Sequence, residues 1–271
     1  MTFSTSDHLA DALTAYGEPE NERTGEIVRA AIAHLYAFVE EVGLTREEWF
    51  KGIEFLTAVG QMCDDRRQEF ILLSDTLGVS MLVEMINQDG AEGTTEPTVF
   101  GPFHVEGAPA KAMGESIAGD GETGQRLAFR GAVKDLDGRP VEGAELDVWQ
   151  TASNGLYDVQ DESQPPMNMR GRFTTGADGR YEFVTVRPIA YTIPGDGPVG
   201  DMLRATGRHN WRPAHTHVMI GAPGYKTVIT HLFDEHSDHL DSDAVFGVRE
   251  SLVVDMSGDV EYDFVLEPAA S

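Results

Sequence analysis

With 271 residues, of which 41% are hydrophobic and 24% charged, the chain can bury a substantial core. Its 46 acidic and 20 basic residues give a net charge of −26, shared evenly: residues 1–100 and 101–271 each carry −13. That charge leaves no basic footprint for nucleic acid, and no apolar run approaches the ~20 residues of a membrane span. Cys63 is the only cysteine, so no intrachain disulfide can form, and no cationic start followed by an apolar core marks a secretory signal. The expectation is a cytoplasmic protein with no membrane and no nucleic-acid partner.

The first part of the chain carries helical patterning. Ile27, Ala30, Ala31, His34, Leu35, Phe38, Val39 and Val42 recur at helix spacing. Thr45 and Glu48 form a capping box ahead of Trp49, Ile53, Leu56 and Val59. A further helix is predicted over about 67–86, with Phe70, Leu73, Leu77 and Leu82 available for packing, until Gly90, Gly93 and Pro97 break the pattern. Past residue 97 the pattern changes to short strands. Residues 127–134 and 144–150 flank Asp137-Gly138, and residues 172–175 and 180–186 flank Asp178-Gly179, which predicts two hairpins. The fold class expected is therefore α+β: a helical domain over 1–97, then a mainly antiparallel β-sandwich over 98–271. Residues 188–212 are rich in Gly and Pro with little periodicity, and a connection that long inside a domain suggests function.

The next run, 214–220, reads as a strand. His215 and His217 then share one face, as two ligands of one metal must. Two His alone leave a structural role equally open. Upstream, Tyr157 and Tyr191 stand in loop-like settings; taken singly, each is better explained by packing at a sheet edge with a wet hydroxyl. Together, two imidazoles and two phenolates would suit a hard, highly charged ion such as ferric iron. The other histidines His8, His34, His104, His209, His236 and His239 read as surface or network residues.

Gly101-Pro102-Phe103, Asp147-Val148-Trp149-Gln150, Asn154-Gly155-Leu156-Tyr157, Tyr191-Thr192-Ile193-Pro194, Asp196-Gly197-Pro198-Val199-Gly200 and Arg212-Pro213-Ala214-His215-Thr216-His217 occur in an order and spacing that resemble the intradiol ring-cleavage dioxygenases over nearly the whole chain. The resemblance implies one ferric ion per chain, held by Tyr157, Tyr191, His215 and His217. It implies a dihydroxy-aromatic substrate that chelates this ion and reacts with O2, giving a ring-opened dicarboxylate by way of a cyclic anhydride. Tyr191 would leave the metal and take a substrate proton. Arg212 would stabilise the anionic substrate or intermediate, with a plain ion pair to one of the many carboxylates as the alternative. A homodimer joined through the N-terminal helices, with lipid bound between them, is also implied.

Thr98–Phe103, Phe70–Asp75, Tyr191–Pro194, Thr230–Phe233 and Asp243–Val248 resemble the hydroxyquinol-cleaving branch of the family more than its catechol or chlorocatechol branches. The expected reaction is therefore cleavage of benzene-1,2,4-triol to 3-hydroxy-cis,cis-muconate or maleylacetate, with cleavage of catechols to muconates as the alternative. By resemblance the pocket is formed by Leu72, Asp75, Val99, Phe100, Gly101, Pro102, Phe103, Ile193, Pro194 and Val245. Asp75 would accept a hydrogen bond from a third hydroxyl, or else sit on an exposed helix face. Two rival classes remain: a ferrous enzyme with two His and a carboxylate, which does not need the tyrosines, and a transthyretin-like binding module with structural histidines.

Overall fold

The computed structural model describes residues 4–17, 19–64, 67–87 and 91–269; Gly90, one of the expected helix breakers, lies outside them. Contacts divide the chain into two compact units, Met1–Ala58 and Val59–Ser271.

The first unit is helical: α1 (Thr5–Ala15), α2 (Glu22–Val42) and most of α3 (Arg46–Gln61). The Asn21 side chain caps α2 by accepting from the Thr24 N–H at 2.9 Å, and Gly43 ends the helix in the left-handed region. The capping box expected at Thr45 forms in both directions: Glu48 accepts from the Thr45 N–H at 2.9 Å, and Thr45 Oγ1 accepts from the Glu48 N–H at 3.3 Å. Neither α1 nor α2 buries a residue, and Ile27, Leu35, Phe38, Val42, Trp49 and Ile53 are exposed.

The second unit begins at the end of α3 and includes α4 (Glu69–Thr76) and α5 (Val79–Asn87). The single helix predicted over 67–86 is thus two helices. Gly78 separates them at φ +76, a conformation that favours glycine and breaks the helical ladder. The division of contacts after Ala58 groups α4 and α5 with the strands, although the change in sequence patterning comes near residue 97.

The strands follow as β1 (Arg126–Asp135), β2 (Glu145–Trp149), β3 (Arg170–Thr174), β4 (Arg180–Val186) and β5 (Tyr191–Thr192). A short α6 (Pro198–Ala205) precedes β6 (Trp211–Arg212), β7 (His215–Gly221), β8 (Val228–Asp234), β9 (Val253–Val254), β10 (Val260–Glu261) and β11 (Phe264–Leu266). One sheet has the order β3-β2-β7-β8-β9; in the other, β1 pairs with β4, β10 and β11. Leu146, Val148, Val218 and Leu232 of the first sheet join Leu127, Phe129, Tyr181 and Phe183 of the second in the core.

The pairing is mainly antiparallel, as expected, with short parallel additions: β10 and β11 run parallel to β1, and β9 runs parallel to β8. One expectation about the sheets needs correction, because the predicted hairpins do not form as such: β1 pairs with β4, and β2 with β3 and β7. Both Asp-Gly turns do reverse the chain, with the Gly138 N–H donating to Asp135 O and the Gly179 N–H to Gly176 O, each at 2.9 Å. Each reversal carries the chain from one sheet to the other. A turn signature specifies the reversal, and burial of two apolar faces against each other selects the partner.

Candidate metal and substrate site

The sheet geometry generates the site. In β7, His215 and His217 alternate with Thr216 and Val218, so the imidazoles occupy the face opposite the apolar core. The 188–212 connection contains α6, which its patterning did not reveal, and folds back so that β5 pairs with β6 and sets Tyr191 directly opposite Arg212. Tyr157 arrives from the loop after β2, where Gln160 Oε1 accepts its N–H at 3.1 Å and the Phe103 ring stacks on it at 4.6 Å.

These elements bring four donor atoms together. Tyr157 Oη lies 3.0 Å from His217 Nε2 and 3.2 Å from Tyr191 Oη, and the two imidazole Nε2 atoms are 3.3 Å apart. All four residues are buried. Donors bonded at about 2 Å to one ion stand roughly 3 Å apart, so the spacing fits a single metal. Protonation fits as well. The His215 Nδ1–H donates to the Pro213 carbonyl at 2.7 Å, which leaves the Nε2 lone pair facing the cluster. Burial above all holds the His215 and His217 imidazoles well below their ordinary pKa, hence neutral, and the charge of Arg212 acts in the same direction. Burial raises the phenol pKa of Tyr157 and Tyr191, so their ionisation calls for a strong positive charge at the point where they meet. Two phenolates and two neutral imidazoles suit a hard trivalent ion.

Arg212 is almost wholly buried beside this cluster. Its Nε and Nη2 donate to the two carboxylate oxygens of Asp243 at 3.0 and 3.2 Å, while Nη1 lies 3.2 Å from His215 Nε2. Burial opposes its charge, but Asp243 and the tyrosine oxygens outweigh burial and hold the guanidinium ionised. The ion-pair reading and the catalytic one are therefore compatible: two arms are paired and one faces the donors.

A pocket opens on the cluster, lined by Leu72, Asp75, Gly101, Pro102, Phe103, Ile193 and Val245 together with Tyr191, Arg212 and His217. Seven of the ten residues expected there are present. Pro194 instead lines a small adjoining cavity with Arg67 and Leu72. Val99 is buried, and Phe100 is partly exposed, with its ring 4.8 Å from His104 and 6.0 Å from Trp149. Gly101 has φ +75, and a Cβ there would stand 3.4 Å from His217 Cε1, so the position suits glycine on both counts. Asp75 is buried, not on an exposed helix face, and burial pushes its carboxyl pKa up despite Ser80 and Arg212. A larger surface groove on the other sheet, near Arg130 and Lys134, holds charges already paired with Glu182, Asp259 and Asp263.

Motif spacing did not mark His231 or Trp149 as site residues. Trp149, His217 and His231 are directly opposite one another in β2, β7 and β8, and Arg170 of β3 extends the row. The His217 ring is 4.6 Å from Trp149 and 4.0 Å from His231. His231 Nδ1 pairs with Thr98 Oγ1. His215, His217 and His231 form a buried cluster with ligand atoms within 4.8 Å of one another; a second such group, Glu235, His236 and Asp255, is exposed. Strand pairing unites this row, and one strand's sequence does not contain it. His104, expected in a network, pairs with Asp147 at 3.1 Å.

Residues 99–268 match the family model described as "Dioxygenase", and residues 21–95 match "Catechol dioxygenase N terminus". The chain belongs to the intradiol ring-cleavage dioxygenases. This dioxygenase is 54% identical over 254 residues to a 6-chlorohydroxyquinol 1,2-dioxygenase of Cupriavidus pinatubonensis, covering 92% of each chain. It is 51% identical to a hydroxyquinol 1,2-dioxygenase of a Rhizobium species, covering 87% of this chain and 80% of the relative. Its fold matches the solved hydroxyquinol 1,2-dioxygenase of Pseudomonas putida with a TM-score of 0.91 and 48% identity, over 98% of this chain and 99% of that one. No helix among the described residues of the dioxygenase is long and apolar enough to cross a membrane.

Proposed function

We propose that this intradiol dioxygenase opens the ring of hydroxyquinol, benzene-1,2,4-triol, between its adjacent hydroxyl-bearing carbons, using O2 and one ferric ion held by Tyr157, Tyr191, His215 and His217. The observation that carries the reading is the convergence of those four donor atoms at 3.0–3.3 Å beside the free arm of Arg212. When bound, the iron draws electron density from the chelated ring and makes a ring carbon reactive towards O2. The chain's own residues supply the rest. The Tyr191 oxygen accepts a proton from the incoming diol, and Arg212 stabilises the negative charge left on the substrate oxygen. Leu72, Pro102, Phe103, Ile193 and Val245 form an apolar wall that orients the ring and excludes water, and Pro194 lines the adjoining cavity with Leu72, Pro102 and Phe103.

The triol is favoured over catechol for two reasons. Several of the relatives most similar to this chain bear hydroxyquinol in their names. The buried Asp75 also offers a hydrogen-bond acceptor to a third hydroxyl, a bond that plain catechol cannot make. The product is 3-hydroxy-cis,cis-muconate or its tautomer maleylacetate.

Residues 98–271 act as the catalytic domain, and residues 1–97 act as the dimerisation domain while lending Leu72 and Asp75 to the pocket. A homodimer through the N-terminal helices, with lipid between them, would cover the exposed apolar residues of α2 and α3. Initial rates with benzene-1,2,4-triol, catechol and chlorocatechols test the reading. The highest kcat/KM is expected for the triol; a higher value for catechol would overturn the substrate assignment while leaving the reaction type intact.

A further inference from the structure

Arg212 is buried against the carboxylate of Asp243 and must present one N–H arm to the reacting atoms. Asp243 takes the other two arms side-on, through Nε at 3.0 Å and Nη2 at 3.2 Å. The carboxylate is itself held by backbone: Oδ1 accepts from the Val245 N–H at 3.3 Å and Oδ2 from the Gly247 N–H at 3.0 Å. The segment carrying it is anchored independently. The Ala244 N–H donates to the Trp211 carbonyl at 3.0 Å, next to Arg212 in the chain, and Arg208 donates to the Ala244 carbonyl at 3.0 Å. Asp75 is a second buried carboxylate, and it lines the same pocket as Arg212. A guanidinium released from Asp243 would be attracted to Asp75, the group proposed to receive the third hydroxyl.

We propose that Asp243 is a positioning residue: its fixed, side-on ion pair aims Arg212 Nη1 at the reacting atoms and keeps Asp75 free for the substrate. A nearly filled acceptor set supports this, because a carboxylate bound by two backbone N–H groups and two guanidinium N–H groups has little freedom to move. The packing is also close. A Cβ at Gly247 would stand 3.0 Å from Arg212 Nη2 and 3.2 Å from Asp243 Oδ2, so a side chain there would press on the ion pair.

The inference rests on the catalytic role proposed for Arg212, and a double-mutant cycle separates the two. The iron-loaded variants Asp243→Asn, Arg212→Met and the pair are compared by kcat and KM with benzene-1,2,4-triol and catechol, and by anaerobic titration of the visible absorption band. Asp243→Asn should lower kcat about 10- to 100-fold and reduce the preference for the triol, with iron content and resting absorption maintained. In the Arg212→Met background the same substitution should cost almost nothing further in kcat. Multiplying losses, or a wild-type kcat in Asp243→Asn, would overturn the proposal. Wild-type activity in Arg212→Met would instead overturn the role of Arg212 itself. If Asp243→Asn does not fold, Gly247→Ala takes its place in the cycle, since its methyl group intrudes on the same ion pair. It should show the same loss of kcat and the same lack of additivity with Arg212→Met, and independent losses would again reject the proposal.

Discussion

The Trp149 indole lies nearly parallel to the His217 imidazole, with ring centroids 4.6 Å apart and planes inclined by 16°. The two proposed histidine ligands are thus oriented by different means. His215 is fixed by a hydrogen bond to the Pro213 carbonyl, whereas His217 Nδ1 is buried without a hydrogen-bond partner among the described residues and its ring is held by stacking. Replacing Trp149 with Leu removes the flat surface while keeping an apolar side chain. It should weaken iron binding by about 10- to 100-fold, the range for loss of groups that orient a metal ligand. Phe should retain most of the affinity. Iron affinity measured by competition with a chelator checks this, and equal affinities for the Leu and Phe variants would show that stacking plays no part.

Asp75 is the carboxylate in a pocket whose other polar groups, Tyr191, Arg212 and His217, belong to the donor cluster, and its effect belongs in the ratio between substrates. Asp75→Ala should lower kcat/KM for benzene-1,2,4-triol about tenfold relative to catechol, the scale expected for one buried hydrogen bond. Unchanged kcat/KM ratios would reject that role.

Glu122 ties together the loops leading to Tyr157. It accepts from the Ser153 N–H at 3.0 Å, Ser153 Oγ at 2.7 Å and Asn168 Nδ2 at 2.7 Å. Burial alone would push its carboxyl up, but these bonds outweigh burial and hold it below its ordinary value of 4.5. A carboxylate lowered in the folded state contributes stability that is complete above that ordinary value and is lost as the pH falls through the folded one. Glu122→Gln should therefore be less stable by about 1 kcal/mol at neutral pH, and the gap should close in acid. Denaturant midpoints across that range check the sign; a pH-independent gap would mean that the charge is not involved.

Much of this was legible in the chain, because some signals are local. The capping box of Thr45 and Glu48 and the shared face of His215 and His217 depend on neighbours a few residues away, and the motifs around Tyr157 and Tyr191 carry their own context. Strand partners are not local. The Asp-Gly turns suggested hairpins, yet the strands they join belong to opposite sheets. The row of Arg170, Trp149, His217 and His231 exists only after four strands pair, and the opposition of Tyr191 and Arg212 only after the 188–212 segment folds back. Gly78 divides a stretch whose apolar periodicity reads as continuous, because periodicity registers the buried face and not the backbone angle that interrupts it.

The central claim is that Tyr157, Tyr191, His215 and His217 hold one ferric ion, and the visible absorption spectrum of the purified protein tests it most directly. Two phenolates bonded to ferric iron absorb visible light by charge transfer. The protein should be wine-red with about one iron per chain, and its band should shift when benzene-1,2,4-triol is added without oxygen. Tyr157→Phe should lose much of that colour. A colourless, iron-free protein that stays inactive after iron is restored would contradict the account.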